Sequence, residues 1–404
     1  MTHFKNLQPV KNDTIFHYLE LYFADKSSKK VNLSIGAYRD DDGLPYIFDV
    51  VKDAERDLLD YSTYNKEYTL IDGVPNYPKL SRNLIFKDCL ANRENRIASI
   101  QTIAGTGSLR LSAELIKNNF PHIKNVYISD PTWGPHRFIF DQLGLNVINY
   151  PYYSKKTCTK DFPAMLEGLN NCGNDCLVVL HTCAHNPTGI DLTKEEWKEI
   201  AELTKIKNFL VLFDSAYLGF ASGDFDIDAW PIKYFEENNI EFLVSQSFSK
   251  NMGLYGERIG ALHIVCKDSE TASLLVQNLK LIIRSFYTSP SLHGARIVNR
   301  ILENEDYLNR WKKELEIVAT RVQTMRSSLI SGLKELNTPG NWDLVGQQKG
   351  MFSYLPLSEA QCYRMIDYWH VYILPSGRIN IAGLSPDNLQ YVIDSIDNCV
   401  RSVN

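Results

Sequence analysis

The feature that most constrains the fold is an alternation of short apolar runs with helical patterns in the middle of the chain. The runs are continuous and rich in β-branched residues, which is typical of strands buried on both faces. Just before the first of them, apolar residues recur in steps of three and four from Leu109 to Phe120, which indicates a helix. Such alternation favours an α/β fold with a mostly parallel sheet covered by helices. The runs are 126–128, 177–180, 209–213, 242–244 and 261–265.

The last third of the chain has a different pattern. Apolar residues keep helical spacing from Trp311 to Leu336, which predicts one helix of about 30 residues and about 45 Å. A closing helix is predicted to start at Pro386 after the N-cap Ser385. A chain of 404 residues exceeds the usual size of one domain. We therefore expect an N-terminal arm over 1–12, a large domain over 47–310, and a smaller domain built from 13–46 and 311–404.

Composition and charge exclude several classes of protein. Hydrophobic residues are 44% and charged residues 23%, which is ordinary for a globular protein. The net charge of −5 argues against nucleic acid as the main partner, and no apolar run approaches the ~20 residues of a membrane span. The eight cysteines are scattered, and the first residues resemble neither a secretory signal nor a transit peptide. We therefore expect a cytoplasmic protein with reduced thiols.

Polar residues follow several of the apolar runs, at the point where a parallel sheet binds its ligands. Gly105-Thr106-Gly107 opens a helix, and free N–H groups at a helix N-terminus bind phosphate well. Ser247 and Arg258 supply a hydroxyl and a forked charge for the same purpose. The third glycine of a dinucleotide-binding fingerprint is replaced by Arg110, and there is no Walker lysine. Taken alone, a turn with two glycines is more often only a turn.

The segment 247–260 resembles the cofactor attachment segment of the class I pyridoxal-phosphate-dependent aminotransferases. It has the family's residues at Ser249, Lys250, Arg258 and Gly260. Further segments follow in the family's order, and together they resemble the aspartate aminotransferases of the eukaryotic type. The resemblance implies the type I fold of these enzymes, with a mostly parallel seven-stranded sheet in the large domain and a smaller α+β domain. The further segments are 32–43, 65–68, 131–136, 184–189, 214–217 and 375–380.

The resemblance also implies how pyridoxal phosphate is held. Lys250 would attach to the cofactor covalently and, once freed by the amino acid, would move the substrate proton. Asp214 would pair with the pyridine nitrogen and keep the ring electron-poor. The other contacts implied are Tyr217 and Asn186 to the ring O3′, Trp133 stacked on the ring, His136 behind Asp214, and Gly105, Thr106, Ser247, Arg258, Thr288 and a neighbouring subunit's Tyr68 on the phosphate.

Two arginines are implied to choose the substrate. Arg378 resembles the residue that grips the α-carboxylate in a bidentate pair, and Arg284 the one that crosses a dimer interface to the distal carboxylate. Gly36, Trp133 and Asn186 would also line the substrate site. The substrates would then be four- and five-carbon dicarboxylates. The implied reaction is reversible ping-pong transfer of the amino group from aspartate to 2-oxoglutarate by a homodimer with shared active sites.

One stretch departs from the family pattern and leaves alternatives open. The family usually has Ser-Asn-Pro-Pro where this chain has Thr288-Ser289-Pro290-Ser291, so a contact near the substrate is in doubt. A broad-specificity aspartate and aromatic aminotransferase is one alternative. A catalytically silent relative acting as a binding protein is another, although the complete set of Lys250, Asp214 and Arg378 argues against it.

A metal site is not expected from the sequence. His181, Cys183 and His185 alternate, which would place them on one face of a strand. No CxxC pair and no HxxxH pair on a helix supports a zinc site. We therefore expect buried thiols and hydrogen-bonded histidines at these positions.

Overall fold

The computed structural model describes residues 13–60 and 64–403, together with residues 3, 5 and 7. Most of the predicted N-terminal arm 1–12 therefore lies outside the described residues. The strands of the chain are β1 Val31–Asn32, β2 Ile97–Ile103, β3 Asn125–Asp130, β4 Asn146–Pro151, β5 Tyr153–Ser154, β6 Thr159–Lys160, β7 Cys176–His181, β8 Leu210–Ser215, β9 Phe242–Ser247, β10 Ile259–Val265, β11 Phe352–Tyr354, β12 Val371–Tyr372 and β13 Arg378–Asn380.

Helices separate most of these strands. They are α1 Thr14–Ala24, α2 Asp49–Asp60, α3 Tyr77–Phe86, α4 Leu90–Arg93, α5 Ala104–Asn119, α6 Pro135–Asp141, α7 Phe162–Leu169, α8 Lys194–Lys207, α9 Phe225–Asp228, α10 Trp230–Glu237, α11 Ser269–Phe286, α12 His293–Glu303, α13 Glu305–Glu335, α14 Asp343–Gly346, α15 Glu359–Trp369 and α16 Pro386–Ser402, with a 3₁₀ turn at Ile381–Gly383.

Two helix predictions for the last third of the chain are confirmed. The long C-terminal pattern forms the single helix α13, which has 31 residues. The closing helix α16 begins at Pro386, directly after Ser385.

The chain forms two compact units. Unit 1 comprises Met1–Leu44, Met325–Gly346 and Phe352–Asn404, and unit 2 comprises Pro45–Thr324 and Gln347–Met351. The helix α13 therefore contributes residues to both units. Compactness alone does not test whether a unit folds independently, so the domain boundaries at 46/47 and 310/311 stay a prediction.

Unit 2 is built on a sheet of seven strands within the described residues, in the order β2-β10-β9-β8-β7-β3-β4. Neighbouring strands from β9 to β4 are parallel, whereas β10 is antiparallel to both β2 and β9. The predicted mostly parallel α/β sheet is therefore confirmed. Because β10 runs in the opposite direction, its first residue lies at the edge where the other strands end.

Helices cover the sheet because their apolar faces need partners. The face of α5 that includes Leu109, Leu115 and Ile116 is at most 1% exposed, and it packs in the core cluster of unit 2 with strand residues such as Ile100 and Leu262. Burial of one such leucine stabilises a fold by about 1.5–3 kcal/mol. This packing fixes the N-terminus of α5 beside the ends of β9 and β10.

Unit 1 has short strands and a small core of its own. The strands β1 and β12 pair in parallel, and β11 pairs with β13 in antiparallel fashion. Its helix α1 packs through Tyr18 in a cluster with Ile366, Tyr372 and Leu374.

No helix among the described residues is both long enough and apolar enough to cross a membrane.

Candidate active site

The ends of the central strands of unit 2 carry most of the predicted site residues. Asp214 is the penultimate residue of β8, and Lys250 follows the end of β9 by three residues. Ile259 of the antiparallel β10 pairs with Ile103 at the end of β2, so Arg258 lies at the same edge. The edge predicted to bind ligand therefore gathers an acid, a lysine and an arginine.

These side chains surround one cavity. It is smaller than another cavity of about 750 Å³ beside α3 and α10, in which Asp226 pairs with Lys233 and Lys312. The smaller cavity holds the chemically distinctive groups, and for that reason we take it as the candidate site. Its lining comprises Ala104, Gly105, Thr106, Leu109, Trp133, Asn186, Asp214, Ala216, Tyr217, Ser247, Ser249, Lys250 and Arg258.

One end of the cavity can receive an anion. The helix α5 begins here without a side-chain cap. The N–H of Ala104 donates to the carbonyl oxygen of Arg258 at 3.0 Å, which leaves the N–H groups of Gly105 and Thr106 for an anion. A Cβ on Gly105 would lie 3.3 Å from the Cβ of Ser247, so the backbone approaches this serine closely. Arg258 donates to the carbonyl oxygen of Tyr255 at 2.9 Å, and no carboxylate pairs with it among the described residues. Its positive charge therefore remains available for a phosphate group.

Another part of the cavity lining is a carboxylate with a chain of hydrogen bonds behind it. Asp214 is nearly buried, and its Oδ2 lies 3.1 Å from Nε2 of His136. The other nitrogen of His136, Nδ1, lies 2.8 Å from the hydroxyl of Thr132. The same hydroxyl lies 3.3 Å from Nε2 of His181. Asp214 is thus held by a relay that crosses three separate segments of the chain.

A backbone group sets the direction of this relay. The N–H of Asn186 donates to Nδ1 of His181 at 3.0 Å, so a neutral His181 carries its proton on Nε2. That proton points to Thr132, whose hydroxyl proton then points to Nδ1 of His136. His136 consequently donates to Asp214 from Nε2, which favours the charged carboxylate.

The pKa of Asp214 reflects two opposing effects. Burial acts to raise it, because a charge is poorly solvated there. The hydrogen bond from His136, together with the electrostatic influence of His136, His181 and Lys250, outweighs burial and brings the pKa of Asp214 below its ordinary value. The carboxylate is therefore negative at neutral pH and suited to pair with a cationic ring nitrogen.

A second histidine packs against the relay. The ring of His185 stacks on His181 at 4.2 Å between centroids and on Tyr152 at 4.0 Å. Its two nitrogens bond the hydroxyls of Ser129 and Thr188, each at 2.9 Å. Burial lowers the pKa of His181 to about 3 and that of His185 well below its ordinary value. Both rings are therefore neutral at physiological pH.

The neutral histidines predict a loss of stability in acid. Burial also lowers the pKa of His263 to about 3 in the core of unit 2. As pH falls below about 6.5, the unfolded chain protonates these residues and the folded chain does not, so each costs about 1.4 kcal/mol per pH unit. We expect the free energy of unfolding, measured in urea, to fall from pH 7 to pH 4.5. His263→Gln should reduce that slope, whereas His122→Gln at an exposed position should leave it unchanged.

The amine of Lys250 lies beside a tyrosine. Its Nζ is 5.4 Å from the ring centroid of Tyr217, a distance that suits a cation–π contact. The hydroxyl of Tyr217 accepts a hydrogen bond of 3.4 Å from Nδ2 of Asn186. The three side chains predicted to surround the reacting end of a cofactor thus line the same cavity.

Two predicted substrate residues lie together in unit 1. Arg378 is 2% exposed, stacks over Phe352 at 4.3 Å and donates to the carbonyl oxygen of Ser34. A Cβ on Gly36 would lie 2.6 Å from Cζ of Phe352, so only glycine leaves room for this ring. Asn380, on the same face of β13 as Arg378, bonds the carbonyl of Ile35 at 2.9 Å. The arginine is therefore held rigidly within its unit.

The remaining predicted residues do not line the cavity. Tyr68 is 83% exposed, and Arg284 and Thr288 are exposed at the end of α11. The structure therefore does not bring these three side chains to the site of their own chain. Their predicted roles require a second subunit.

No role was predicted for Thr132 from the sequence, and His181 was expected to be an ordinary core histidine. Thr132 precedes His136 by four residues, and this spacing was the available signal. The expectation that His181, Cys183 and His185 share a strand face is wrong, because β7 ends at His181.

His136, His181 and Asp214 form a group with possible metal ligand atoms within 4.8 Å of one another. The hydrogen bonds of the relay account for this spacing. The expectation from the sequence that this chain has no metal site stays a prediction.

Comparisons with known proteins identify the family of the chain. The family model for aminotransferase class I and II matches residues 28–396. Aspartate aminotransferase 1 of Medicago sativa is 42% identical over 401 residues, which cover 99% of this chain and 96% of that protein. The solved aspartate aminotransferase from the cytoplasm of Saccharomyces cerevisiae has a TM-score of 0.97 at 38% identity and covers 100% of this chain and 99% of its own.

A third relative has a different substrate and a known cofactor. The aromatic-amino-acid aminotransferase of Burkholderia pseudomallei, solved with covalently bound pyridoxal phosphate, has a TM-score of 0.95 at 34% identity. It covers 99% of this chain and 100% of its own. The family match spans most of the chain, and the identity to these relatives extends over nearly its whole length. The chain therefore belongs to the aminotransferase class I and II family and is an aminotransferase.

Proposed function

We propose that the chain is an aspartate aminotransferase that uses pyridoxal 5′-phosphate in the cavity of unit 2. The reaction is reversible transfer of the amino group from L-aspartate to 2-oxoglutarate, giving oxaloacetate and L-glutamate. The observation that carries the proposal is the negative Asp214, held by His136 in a cavity that Lys250 also lines. A carboxylate, an amine and a group of anion-binding donors that line one cavity suit a phosphorylated pyridine aldehyde.

The residues of the cavity fit this cofactor. The N–H groups of Gly105 and Thr106, the hydroxyl of Ser247 and the guanidinium of Arg258 would hold its phosphate. Asp214 would bind the ring nitrogen, while Asn186 and Tyr217 would bond the ring oxygen O3′. Trp133, which is half-buried and packs against the core, would cover one face of the ring.

Each group then has a physical task. Pyridoxal phosphate, when bound, withdraws electrons from the substrate Cα. Asp214 supplies a fixed negative charge that keeps the ring nitrogen protonated, and it needs no reorganisation during the reaction. Lys250 provides a mobile amine that accepts and returns the proton of the substrate Cα. Tyr217 and Asn186 orient the ring so that this amine reaches the carbon.

Arg378 and Arg284 give the proposal its substrate class. Arg378 would bind the α-carboxylate through its two parallel N–H donors, with its stacking on Phe352 fixing the plane of the guanidinium. Arg284 would bind the distal carboxylate in the site of a second copy of the chain. Tyr68 and Thr288 would reach the second copy's cofactor phosphate, so we propose a homodimer with shared active sites.

A second candidate is a broad-specificity aspartate and aromatic aminotransferase. It is supported by the likeness to the Burkholderia pseudomallei enzyme, whose substrate side chain is aromatic. Ser289, which replaces the family's usual Asn, also supports it because a shorter side chain leaves more room near the substrate.

A panel of amino donors tests both candidates. Aspartate, glutamate, tyrosine and phenylalanine are supplied with 2-oxoglutarate or oxaloacetate, and the change in cofactor absorbance is followed. We expect kcat/KM for aspartate to exceed that for tyrosine by at least about 100-fold, since one paired carboxylate in a site is worth several kcal/mol. Comparable values for aspartate and tyrosine would establish the broad enzyme instead. Cofactor binding without turnover of any donor would refute both.

Arg284→Asp tests the distal carboxylate contact. The substitution replaces attraction by repulsion, so kcat/KM for aspartate should fall by about 10³-fold or more, and cationic amino acids should become relatively better substrates. Steady-state kinetics with aspartate and arginine measure the change. Arg93→Asp, at the exposed end of α4 and outside the cavity, is a control that should keep the preference for aspartate.

Mixed dimers give a second test of whether Arg284 acts across the proposed dimer interface. Mixed dimers of one Arg284→Asp chain and one Lys250→Ala chain should keep about half the wild-type activity with aspartate, because both defects fall in the same site when Arg284 acts across the interface. Loss of activity from both sites would place Arg284 in the site of its own chain. Unaltered preference in the homodimeric Arg284→Asp variant would remove Arg284 from the site.

We also propose a cytoplasmic location, which is supported by the cytoplasmic origin of the Saccharomyces cerevisiae relative.

A further inference from the structure

We propose that Asp228 and Asn251 are positioning residues that hold the Leu218–Gly219 peptide from its two sides and thereby fix Tyr217 beside Lys250. We call this arrangement the peptide clamp. The proposal rests on the proposed function, which gives Tyr217 and Lys250 their roles. Neither clamp residue lines the cavity, so both would act through their neighbours.

Asp228 holds the amide side of the peptide. It is the last residue of α9 and is 6% exposed. Its Oδ2 accepts hydrogen bonds from the N–H of Gly219 at 2.8 Å and of Ala221 at 3.0 Å. Two backbone donors on one carboxylate oxygen make strong, charge-assisted bonds. The loop that follows Tyr217 is thus drawn onto a single buried acid.

The position of Asp228 is unfavourable for stability. Burial raises its pKa to about 6, and a negative charge at the C-terminus of a helix opposes the helix dipole. The side chain nevertheless bonds two backbone amides, which offsets part of this cost. The task visible in the structure is to bind the amides of the loop.

Asn251 holds the carbonyl side of the same peptide. It follows Lys250 directly, is 0% exposed, and donates from Nδ2 to the carbonyl oxygen of Leu218 at 3.2 Å. Its Oδ1 is buried and has no hydrogen-bond partner in the described part of the chain. Burying an amide with its oxygen unpaired is costly, so the bond to Leu218 is what explains this side chain. The backbone oxygen of Asn251 is fixed by Nε1 of Trp311 at 2.7 Å.

The two bonds act on one rigid unit. The carbonyl of Leu218 and the N–H of Gly219 belong to the same planar peptide, so bonds on both sides fix its position and its tilt. Gly219 has a φ of +91°, and a Cβ there would lie 2.3 Å from Cδ2 of Leu315. Glycine is therefore required at this position, and the polar clamp supplies the rigidity that glycine itself lacks.

The clamp links the two segments that carry the proposed catalytic groups. Tyr217 immediately precedes the clamped peptide, and Lys250 immediately precedes Asn251. A shift of the peptide would therefore change the distance of 5.4 Å between Nζ of Lys250 and the ring of Tyr217. A misplacement of about 1 Å at such a site costs up to 10²-fold in rate.

The first test uses the protein without cofactor. A 3-fluorotyrosine is introduced at position 217, and its fluorine NMR signal is compared among variants. Asp228→Ala should shift or split the signal, whereas Asp228→Asn, which keeps an oxygen acceptor, should leave it close to that of the parent. Asp226→Ala is the matched control, because this exposed acid of the same helix pairs with Lys233 and Lys312 at the surface. Asn251→Leu should move the signal as Asp228→Ala does and serves if the latter does not fold.

The second test uses the loaded enzyme. Asp228→Ala should lower kcat about tenfold with KM changed by less than about threefold, and Asp228→Asn should restore most of the activity. In a Tyr217→Phe background, Asp228→Ala should cost little more, because the hydroxyl that it positions is already gone. Full additivity of the two losses, or a fluorine signal that stays in place in both Asp228→Ala and Asn251→Leu, would overturn the clamp. A moved signal together with a fully active Tyr217→Phe enzyme would instead refute the proposed role of Tyr217 and leave the clamp standing.

Discussion

Replacing Lys250 by Ala should abolish amino-group transfer and prevent borohydride from fixing pyridoxal phosphate to the chain. Lys250 is the only lysine that lines the cavity among the described residues. Without its amine, no neighbouring group can accept the proton of the substrate Cα, since Asp214 is engaged by His136 and Arg258 stays protonated. We expect kcat to fall by at least about 10⁴-fold, the upper range for a single general base.

The experiment separates loss of chemistry from loss of fold. Reduced and digested protein is analysed by mass spectrometry, and the peptide that contains residue 250 should carry the cofactor only in the wild type. Lys198→Ala removes an exposed lysine of α8 and should behave as wild type. Noncovalent cofactor should still bind to Lys250→Ala, because the anion cradle at α5 remains intact. Cofactor fixed to a different lysine in the wild type would disprove the assignment.

The central strands could be predicted because they are buried on both faces. The run 242–244 lies in β9, whose residues are all buried, and the run 261–265 lies in β10. The edge strand β4 was not predicted, since its exposed Asn146 and Asn149 break the apolar pattern. The reversed direction of β10 was also beyond the sequence pattern, because hydrophobic periodicity is the same for parallel and antiparallel neighbours.

The site was predictable where chemistry follows a strand directly. Asp214 and Ser247 lie within the ends of β8 and β9, and the rule that ligands bind at strand ends finds them. The relay through Thr132 and His181 was not found, because its bonds join α6 to β7 and depend on how distant segments pack. The clamp residues Asp228 and Asn251 were also missed. Asn251 binds backbone 33 residues away, and Asp228 binds loop amides seven and nine residues before it, a spacing that no helix or strand pattern predicts.

Asp214→Ala should have the second large effect. The carboxylate stabilises a protonated ring nitrogen at short range in a site that is shielded from water, and removal of one such preorganised group commonly costs 10²–10³-fold. We expect kcat with aspartate to fall by about 10³-fold, while the phosphate contacts keep part of the cofactor affinity. Stopped-flow absorbance gives the rate, and dialysis with absorbance gives the amount of bound cofactor. Asp214→Glu should recover some activity, since it restores the charge at a changed distance.

The relay behind Asp214 makes this prediction more specific. His136 does not line the cavity, and it contacts the lining through its hydrogen bond to Asp214 and through the ring of Trp133, at 5.3 Å between centroids. Because Phe keeps a ring beside Trp133, His136→Phe should cost less than Asp214→Ala, and the double variant should be no slower than Asp214→Ala alone. Asp226→Ala, at the exposed end of the charge pair with Lys233, controls for a general loss of acidic residues. Near-normal turnover of Asp214→Ala would mean that the ring nitrogen needs no negative partner. Additive losses in the double variant would mean that His136 acts on the substrate by a route that does not pass through the carboxylate.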